Sequence, residues 1–151
     1  MRTFEKLTDL KTEIGNEIGA SEWLTVTQEM IDLFAEATGD HQWIHVDPEK
    51  AAAGPFGTTI AHGFLTLSLL PRLSAMATEI HGLRMGVNYG LNKVRFPAPV
   101  PAGSELRAVI RLLAYEEIPD NGAQITTEVT IERKGGSKPV CVAESLSRRY
   151  A

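Results

Sequence analysis

Apolar residues first recur with a helical period in the segment "TQEMIDLFAEATGD". Four of them share one predicted helix face: Met30, Ile31, Phe34 and Ala37. Thr27 has a side chain that can cap the start of a helix, and Gly39 can adopt the left-handed conformation that commonly ends one. The pattern therefore predicts a helix between Thr27 and Gly39, with Asp40 immediately after it.

From Val87 onward the pattern changes to a period of two, which is typical of strands with one buried face. The run "SELRAVIRLLAY" places four apolar residues on one face: Leu106, Ala108, Ile110 and Leu112. The pairs Asn121-Gly122 and Gly135-Gly136 indicate hairpin turns, and the last strand covers roughly Val140 to Arg149. This half of the chain therefore predicts three or four long antiparallel strands.

The segment from Ile60 to Ala77 is apolar on nearly every side, which predicts a helix buried all round and kinked at Pro71. Such a helix must be enclosed, and the only large apolar surface left is one face of the predicted sheet. The expected fold is therefore α+β, a curved antiparallel sheet wrapped around a long central helix. A long strand at the edge of that sheet can pair with a second subunit, so we expect a homodimer.

The composition narrows the class of protein. The 151 residues, 43% apolar and 23% charged, are expected to form one domain covering residues 1–151. A net charge of −4 with scattered Lys and Arg argues against nucleic-acid binding. No apolar run is long enough for a membrane span, and the first residues do not resemble a signal peptide. The single cysteine, Cys141, cannot form an internal disulfide, so we expect a core residue in a cytoplasmic protein.

Candidate chemistry is concentrated in "TGDHQWIHVDPEKA", which holds Asp40, His41, His45 and Asp47. A metal site is one interpretation, since the two histidines have the i, i+4 spacing of helical zinc sites. The segment should not be a helix, however, and the residue after His41 is not the acid that the helical motif requires. Asp47 precedes Pro48 and is expected to cap the next helix, which favours a merely polar loop for that residue.

Asp40 and His45 remain as a candidate acid–base pair that could hold a water molecule and move its protons. The segment "AHGF" adds a candidate for charge stabilisation, because the N–H of Gly63 at the start of the buried helix could bind an oxyanion. The spacing alone leaves both this interpretation and the polar loop open.

The quoted segments, together with "GPFGTTIAHGFLTLSLLPRL" and "NYGLNKVRFPAPVPAGSEL", resemble the MaoC-like R-specific enoyl-CoA hydratases, closest to short single-domain actinobacterial members. The resemblance implies the hot-dog fold and reversible addition of water to a trans-2-enoyl-CoA, giving an R-3-hydroxyacyl-CoA. It implies an acyl-CoA thioester substrate and neither metal nor organic cofactor. By position it implies that Asp40 exchanges protons with water and substrate, that His45 polarises the water, and that the Gly63 amide binds the thioester oxygen.

Three alternatives stay open. A 3-hydroxyacyl-thioester dehydratase acting on acyl-carrier-protein substrates would run the same chemistry in reverse. A hot-dog acyl-CoA thioesterase typically has a carboxylate on or near the central helix, and the segment from Ile60 to Ala77 has none. An acyl-CoA-binding module with a degenerate site is disfavoured by the presence of both Asp40 and His45.

Overall fold

Eight β-strands and five α-helices make up the computed structural model, which describes residues 1–151. The strands are β1 (Arg2–Phe4), β2 (Glu17–Ala20), β3 (Leu24–Thr25), β4 (Thr78–Ile80), β5 (Met85–Arg95), β6 (Glu105–Ile118), β7 (Gly122–Arg133) and β8 (Cys141–Tyr150). The helices are α1 (Gln28–Thr38), α2 (Trp43–Val46), α3 (Pro48–Ala52), α4 (Gly63–Ser68) and α5 (Leu70–Ala77), and a 3₁₀-helix covers Leu7–Glu13.

Six strands form one antiparallel sheet in the order β2-β6-β7-β8-β5, with β3 also paired to β6. The remaining two strands, β1 and β4, pair in parallel beside it. The helices α4 and α5 follow one another against one face of the sheet. This is the expected α+β, hot-dog architecture, and the prediction from the sequence is confirmed.

The inner face of the sheet matches the period-two pattern. Its fully buried apolar residues include Leu106, Ala108, Leu112, Ile125, Val129 and Ile131. Cys141 lies among them, and burial raises the pKa of its thiol to about 11. The cysteine is therefore a protonated core residue at neutral pH, as predicted, because a thiol of this pKa forms almost no thiolate.

Turn geometry differs from the prediction at one hairpin. Between β6 and β7 the residues with positive φ are Asp120 (64°) and Asn121 (57°), so Gly122 belongs to the strand instead of the turn. Two central residues with positive φ are what a tight hairpin of this hand requires. Between β7 and β8, Gly135 has a positive φ of 75°, and it lies in the turn that was predicted at Gly135-Gly136.

The central helix is interrupted at Leu69, two residues before Pro71. Proline lacks the N–H that would continue the α4 hydrogen bonds, so α5 restarts with Pro71 in its first turn. The prediction that this helix is buried on every side is wrong: Leu73 and Ala77 are fully buried, but the side chain of Phe64 is 71% exposed. The reason is that the sheet of one chain curves around only part of the helix.

Helix ends around the polar cluster follow the predicted caps. The Thr27 hydroxyl accepts a hydrogen bond from the N–H of Met30 at 3.2 Å, and Gly39 is left-handed with φ 77°. On α1, however, Ala35 is buried and Ala37 is exposed, so the buried face is centred on Ile31 and Ala35.

The sequence indicated an irregular connection between α1 and α3, but the structure has a helical turn there. Residues Trp43–Val46 form the single helical turn α2, whereas Asp40, His41 and Gln42 do not belong to a helix. Because His41 and His45 are not in one helix, their i, i+4 spacing does not place them on a common face. None of the helices combines the length and apolar character needed to cross a bilayer.

Burial of the helix against the sheet predicts a specific stability difference. Leu73→Ala should lower the free energy of unfolding by about 2–5 kcal/mol, because Leu73 is fully buried and its truncation leaves a cavity. Leu33→Ala on α1 is the matched control, since the Leu33 side chain is 63% exposed and its loss should change stability by no more than about 0.5 kcal/mol. Urea denaturation followed by circular dichroism measures both; equal effects would contradict the helix packing described.

Candidate active site

Asp40 and His45 lie at one site, together with His62. A carboxylate oxygen of Asp40 and one ring nitrogen from each histidine all lie within 4.8 Å of one another. Asp40 is exposed, while both histidines are buried. The fold therefore places an accessible carboxylate beside two imidazoles that are shielded from bulk solvent.

The ring of His45 is fixed by a hydrogen bond to the backbone. Its Nδ1 lies 2.7 Å from the carbonyl oxygen of Ile60. A carbonyl can only accept, so Nδ1 carries the proton and donates, and Nε2 keeps its lone pair when the ring is neutral. Burial is the main cause that lowers the pKa of His45 below its ordinary value of 6.5. His45 is therefore a neutral imidazole near pH 7, with Nε2 free to accept a proton or a hydrogen bond.

The backbone around His45 is also held in place. Gln28 on α1 donates from its side-chain amide to the carbonyl oxygen of His45 at 2.8 Å, and its amide oxygen accepts from the hydroxyl of Thr59. The N–H of Ile60 donates to the carbonyl oxygen of Ile44 at 3.0 Å. These contacts connect α1, α2 and the segment before α4, and together they set the position of the ring.

His62 contributes to the site in a way that the sequence analysis missed. Its Nε2 donates to the carbonyl oxygen of Asp40 at 3.0 Å, and its ring stacks on His45 with centroids 3.8 Å apart and planes inclined by 24°. The ring of Phe34 also packs against the His62 ring, with centroids 4.9 Å apart. The Nδ1 atom of His62 is buried without a hydrogen-bond partner. His62 thus connects the backbone of Asp40 to the ring of His45.

A carboxylate and two imidazoles are a donor set that can bind zinc. An ion bound by both rings must lie close to both ring planes, because the nitrogen lone pairs lie in those planes. The stacked rings of His45 and His62 are nearly parallel and separated by the thickness of a ring, so their lone pairs point along separate planes. The three residues in this arrangement therefore do not fit a single metal ion.

Gly63 is the first residue of α4, where a backbone N–H has no acceptor within its own helix. The preceding His62 gives no side-chain cap, and no loop carbonyl accepts a hydrogen bond from Gly63. A Cβ at this position would lie 3.0 Å from the ring of Phe96, so a side chain would displace that ring. The amide is free and follows directly after a histidine of the site.

The other two residues of the polar cluster lie apart from the site. Asp47 accepts a hydrogen bond from the N–H of Lys50 at 2.9 Å and caps α3, as predicted. The ring of His41 is half exposed and lies 3.6 Å from a carboxylate oxygen of Glu36. Of the four candidates in the segment, the fold brings only Asp40 and His45 together.

Comparison with known proteins gives consistent results. A family model described as "MaoC like domain" matches residues 9–134. The 3-hydroxyacyl-thioester dehydratase Z of Mycobacterium tuberculosis is 58% identical over 151 residues, covering 100% of both chains. Nodulation protein N of Rhizobium leguminosarum is 49% identical over 146 residues, covering 93% of this chain and 89% of that protein.

Among solved structures, the R-hydratase PhaJ1 of Pseudomonas aeruginosa, without ligand, aligns with a TM-score of 0.67 and 27% identity. The alignment covers 89% of this chain and 80% of that one. Since the family model matches most of the chain and a relative matches all of it, the chain belongs to the MaoC-like domain family.

Proposed function

We propose that this MaoC-like hydro-lyase of 3-hydroxyacyl thioesters is an R-specific trans-2-enoyl-CoA hydratase, with Asp40 and His45 as its catalytic residues. The observation that carries the proposal is the convergence of the Asp40 carboxylate and the His45 ring within 4.8 Å, together with His62, which the free amide of Gly63 follows in the chain. The names of the relatives, a 3-hydroxyacyl-thioester dehydratase and an R-hydratase, support the same chemistry.

Each group has a defined part in the reaction. A water molecule between the two side chains donates hydrogen bonds to Nε2 of His45 and to the carboxylate of Asp40. Its oxygen attacks the β-carbon of the enoyl thioester, Asp40 accepts one of its protons, and a proton passes from Asp40 to the α-carbon. The carboxylate is thereby restored, and the elements of water have been added across the double bond.

The Gly63 amide acts on the other end of the conjugated system. As the nucleophile adds to the β-carbon, negative charge develops on the thioester oxygen. A backbone N–H at the start of a helix stabilises such charge, and Gly63 is the first residue of α4. The absence of a side chain at Gly63 lets the thioester approach the backbone closely.

Dehydration of 3-hydroxyacyl thioesters on an acyl carrier protein is the second candidate. The reaction is the reverse of hydration and uses the same groups, and the name of the relative at 58% identity describes a dehydratase. A thioesterase is disfavoured because no Asp or Glu occurs in α4 or α5. Assays with matched CoA and carrier-protein thioesters, followed by enoyl absorbance and by release of free thiol, separate the three activities.

We also propose that a second copy of the chain pairs with β5. This strand is at the edge of the sheet, and nearly all of its residues are exposed, including Met85, Val87, Tyr89 and Leu91. A long, apolar and unpaired edge strand is a template for another strand. Pairing of two copies through β5 would also bury the exposed side of the central helix, where Phe64 lies.

Removal of either catalytic group should abolish most turnover. Asp40→Asn and His45→Gln should each lower kcat/KM for crotonyl-CoA hydration by about 10²–10⁴-fold, because each removes one proton-handling group. Glutamine is chosen because it is close in size to histidine and has no titratable group. Asp47→Asn and His41→Gln are matched controls from the same segment and should keep near wild-type rates. Wild-type activity in either site variant would contradict the assigned roles.

The pH profile should show the lowered pKa of His45. The neutral ring accepts a hydrogen bond from water, and a lowered pKa keeps the ring neutral to more acidic pH. We therefore expect NMR titration of the His45 ring to give a midpoint below 6.5, with kcat/KM falling as the pH drops through that midpoint. The signals are assigned by their loss in His45→Gln. A midpoint above 6.5 would contradict the neutral form on which the mechanism depends.

The proposed dimer should depend on the apolar surface of β5. Tyr89→Glu places a charge on a side chain that is 54% exposed and should shift the protein from dimer to monomer in light scattering. Leu33→Glu changes an exposed apolar residue on α1, 63% exposed, and should leave the dimer intact. A wild-type protein that is monomeric at all concentrations would contradict the proposal.

A further inference from the structure

A cavity of about 670 Å³ lies between the helices α4 and α5 and the inner face of β5, β7 and β8. On the helix side it begins at Leu67 and Ser68, one helical turn after Gly63, and extends to Thr78 at the end of α5. At 1.5 Å per residue, this stretch is roughly 16 Å long. The cavity is large enough for an acyl chain and begins next to the candidate oxyanion site.

The sheet side of the cavity becomes polar along β8. Ser145, Ser147 and Arg149 alternate along that strand and line the cavity. Their register partners on β7 include Ile125, opposite Ser147, and Ala123, opposite Arg149, and both partners are buried. Because paired residues in an antiparallel sheet point to the same face, these three β8 side chains face inward.

The strand register also gives their order relative to the active site. A Cβ on Gly63 would touch Phe96, the residue that follows the end of β5. At that end of β5, Val94 pairs with Ala143. Farther along, Leu91 pairs with Ser145, Asn88 with Ser147, and Gly86 with Arg149. Arg149 therefore lies at the end of the cavity away from Gly63, about 13 Å along β8 from Ser145.

Arg149 is the only charged residue that lines the cavity. Its guanidinium takes part in no ion pair, and no side-chain hydrogen bond involves it. Burial lowers the pKa of Arg149, and no carboxylate acts on it in the opposite direction. Arg149 is half-buried and lines the cavity, so its guanidinium is accessible from the cavity. A planar guanidinium binds carboxylates with two parallel hydrogen bonds.

Neighbouring polar groups are also available for a ligand. The side chains of Asn88, Thr127, Ser145 and Ser147 line the cavity and form no hydrogen bonds within the protein. A purely apolar acyl chain would leave all of these groups and Arg149 without partners. An acyl chain with a polar end would satisfy them.

We propose that this cavity holds the acyl chain of the thioester substrate and that Arg149 binds a carboxylate at the distal end of that chain. The inference rests on the proposed function, since it takes the thioester to be bound at Gly63. A single guanidinium matches the single charge of a carboxylate, whereas the several phosphates of coenzyme A would require more cations than the one that lines this cavity. Pairing of two copies along the edge of β5 would use its backbone and leave inward-facing residues such as Asn88 to the cavity.

The test compares two trans-2-enoyl-CoA substrates of equal chain length, one ending in a methyl group and one in a carboxylate, over a series of lengths. The wild-type enzyme should prefer the carboxylate at the length that reaches Arg149. In Arg149→Met the ratio of kcat/KM for the carboxylate to that for the methyl substrate should fall about 10- to 100-fold, the value of a hydrogen bond to a charged group.

Arg148→Met is the matched control. Arg148 is the preceding residue on β8, its side chain leaves the opposite face of the sheet, and its guanidinium stacks on Tyr89 at 3.7 Å. This variant loses the same charge from the same strand and should keep the wild-type ratio. Light scattering on both variants checks that the assembly is unchanged.

The outcomes separate the two proposals. If the wild-type enzyme hydrates neither substrate, the proposed function fails. If it hydrates the methyl substrate and Arg149→Met leaves the ratio unchanged, only the carboxylate site fails. If Arg149→Met weakens both substrates equally and the loss disappears with pantetheine thioesters, Arg149 binds a phosphate of coenzyme A and the inference is overturned. Dissociation of the assembly at an unchanged ratio would likewise overturn it, because Arg149 would then pair with a second copy.

Discussion

The hydrogen bond from Nδ1 of His45 to the carbonyl oxygen of Ile60 is the contact on which the candidate site depends. It selects the tautomer with a lone pair on Nε2, and it fixes the direction in which that lone pair points. The acceptor belongs to the segment that leads into α4, so the same bond ties the ring to the start of the central helix. Without it the ring could rotate or exchange tautomers, and Nε2 would no longer be fixed as the acceptor next to Asp40.

The stacked rings extend that constraint to the acid. His62 donates to the backbone of Asp40 and lies flat against His45, and it is adjacent in sequence to Gly63. One residue thus relates the positions of the carboxylate, the imidazole and the free amide. Burial lowers the pKa of His45, so its ring is neutral near pH 7 in this arrangement.

The sequence alone was sufficient for the parts of the fold that depend on local chemistry. Thr27, Gly39 and Asp47 act as caps where their residue types predict, and these caps leave Asp40 and His45 on a short connection that can aim both inward. The positions of Gln28 and His62 could not be predicted, because their contacts join residues 17 and 22 positions apart in the chain. The short strands β2 and β3 were missed as well, since two to four residues carry too little periodicity to be recognised.

The error about the central helix is informative for the same reason. Its residues are apolar all round, but the sheet of one chain covers only one side of the helix. Phe64, on the other side, therefore remains exposed. An apolar sequence predicts that a surface is buried, but it does not predict whether the same chain or a second copy buries it. The polar residues on the inner face of β8 make the complementary case: Ser145, Ser147 and Arg149 interrupt a face that is largely apolar. These three residues are half-buried and line the cavity without hydrogen-bond partners in the protein, which is the arrangement that a ligand with a polar end would need.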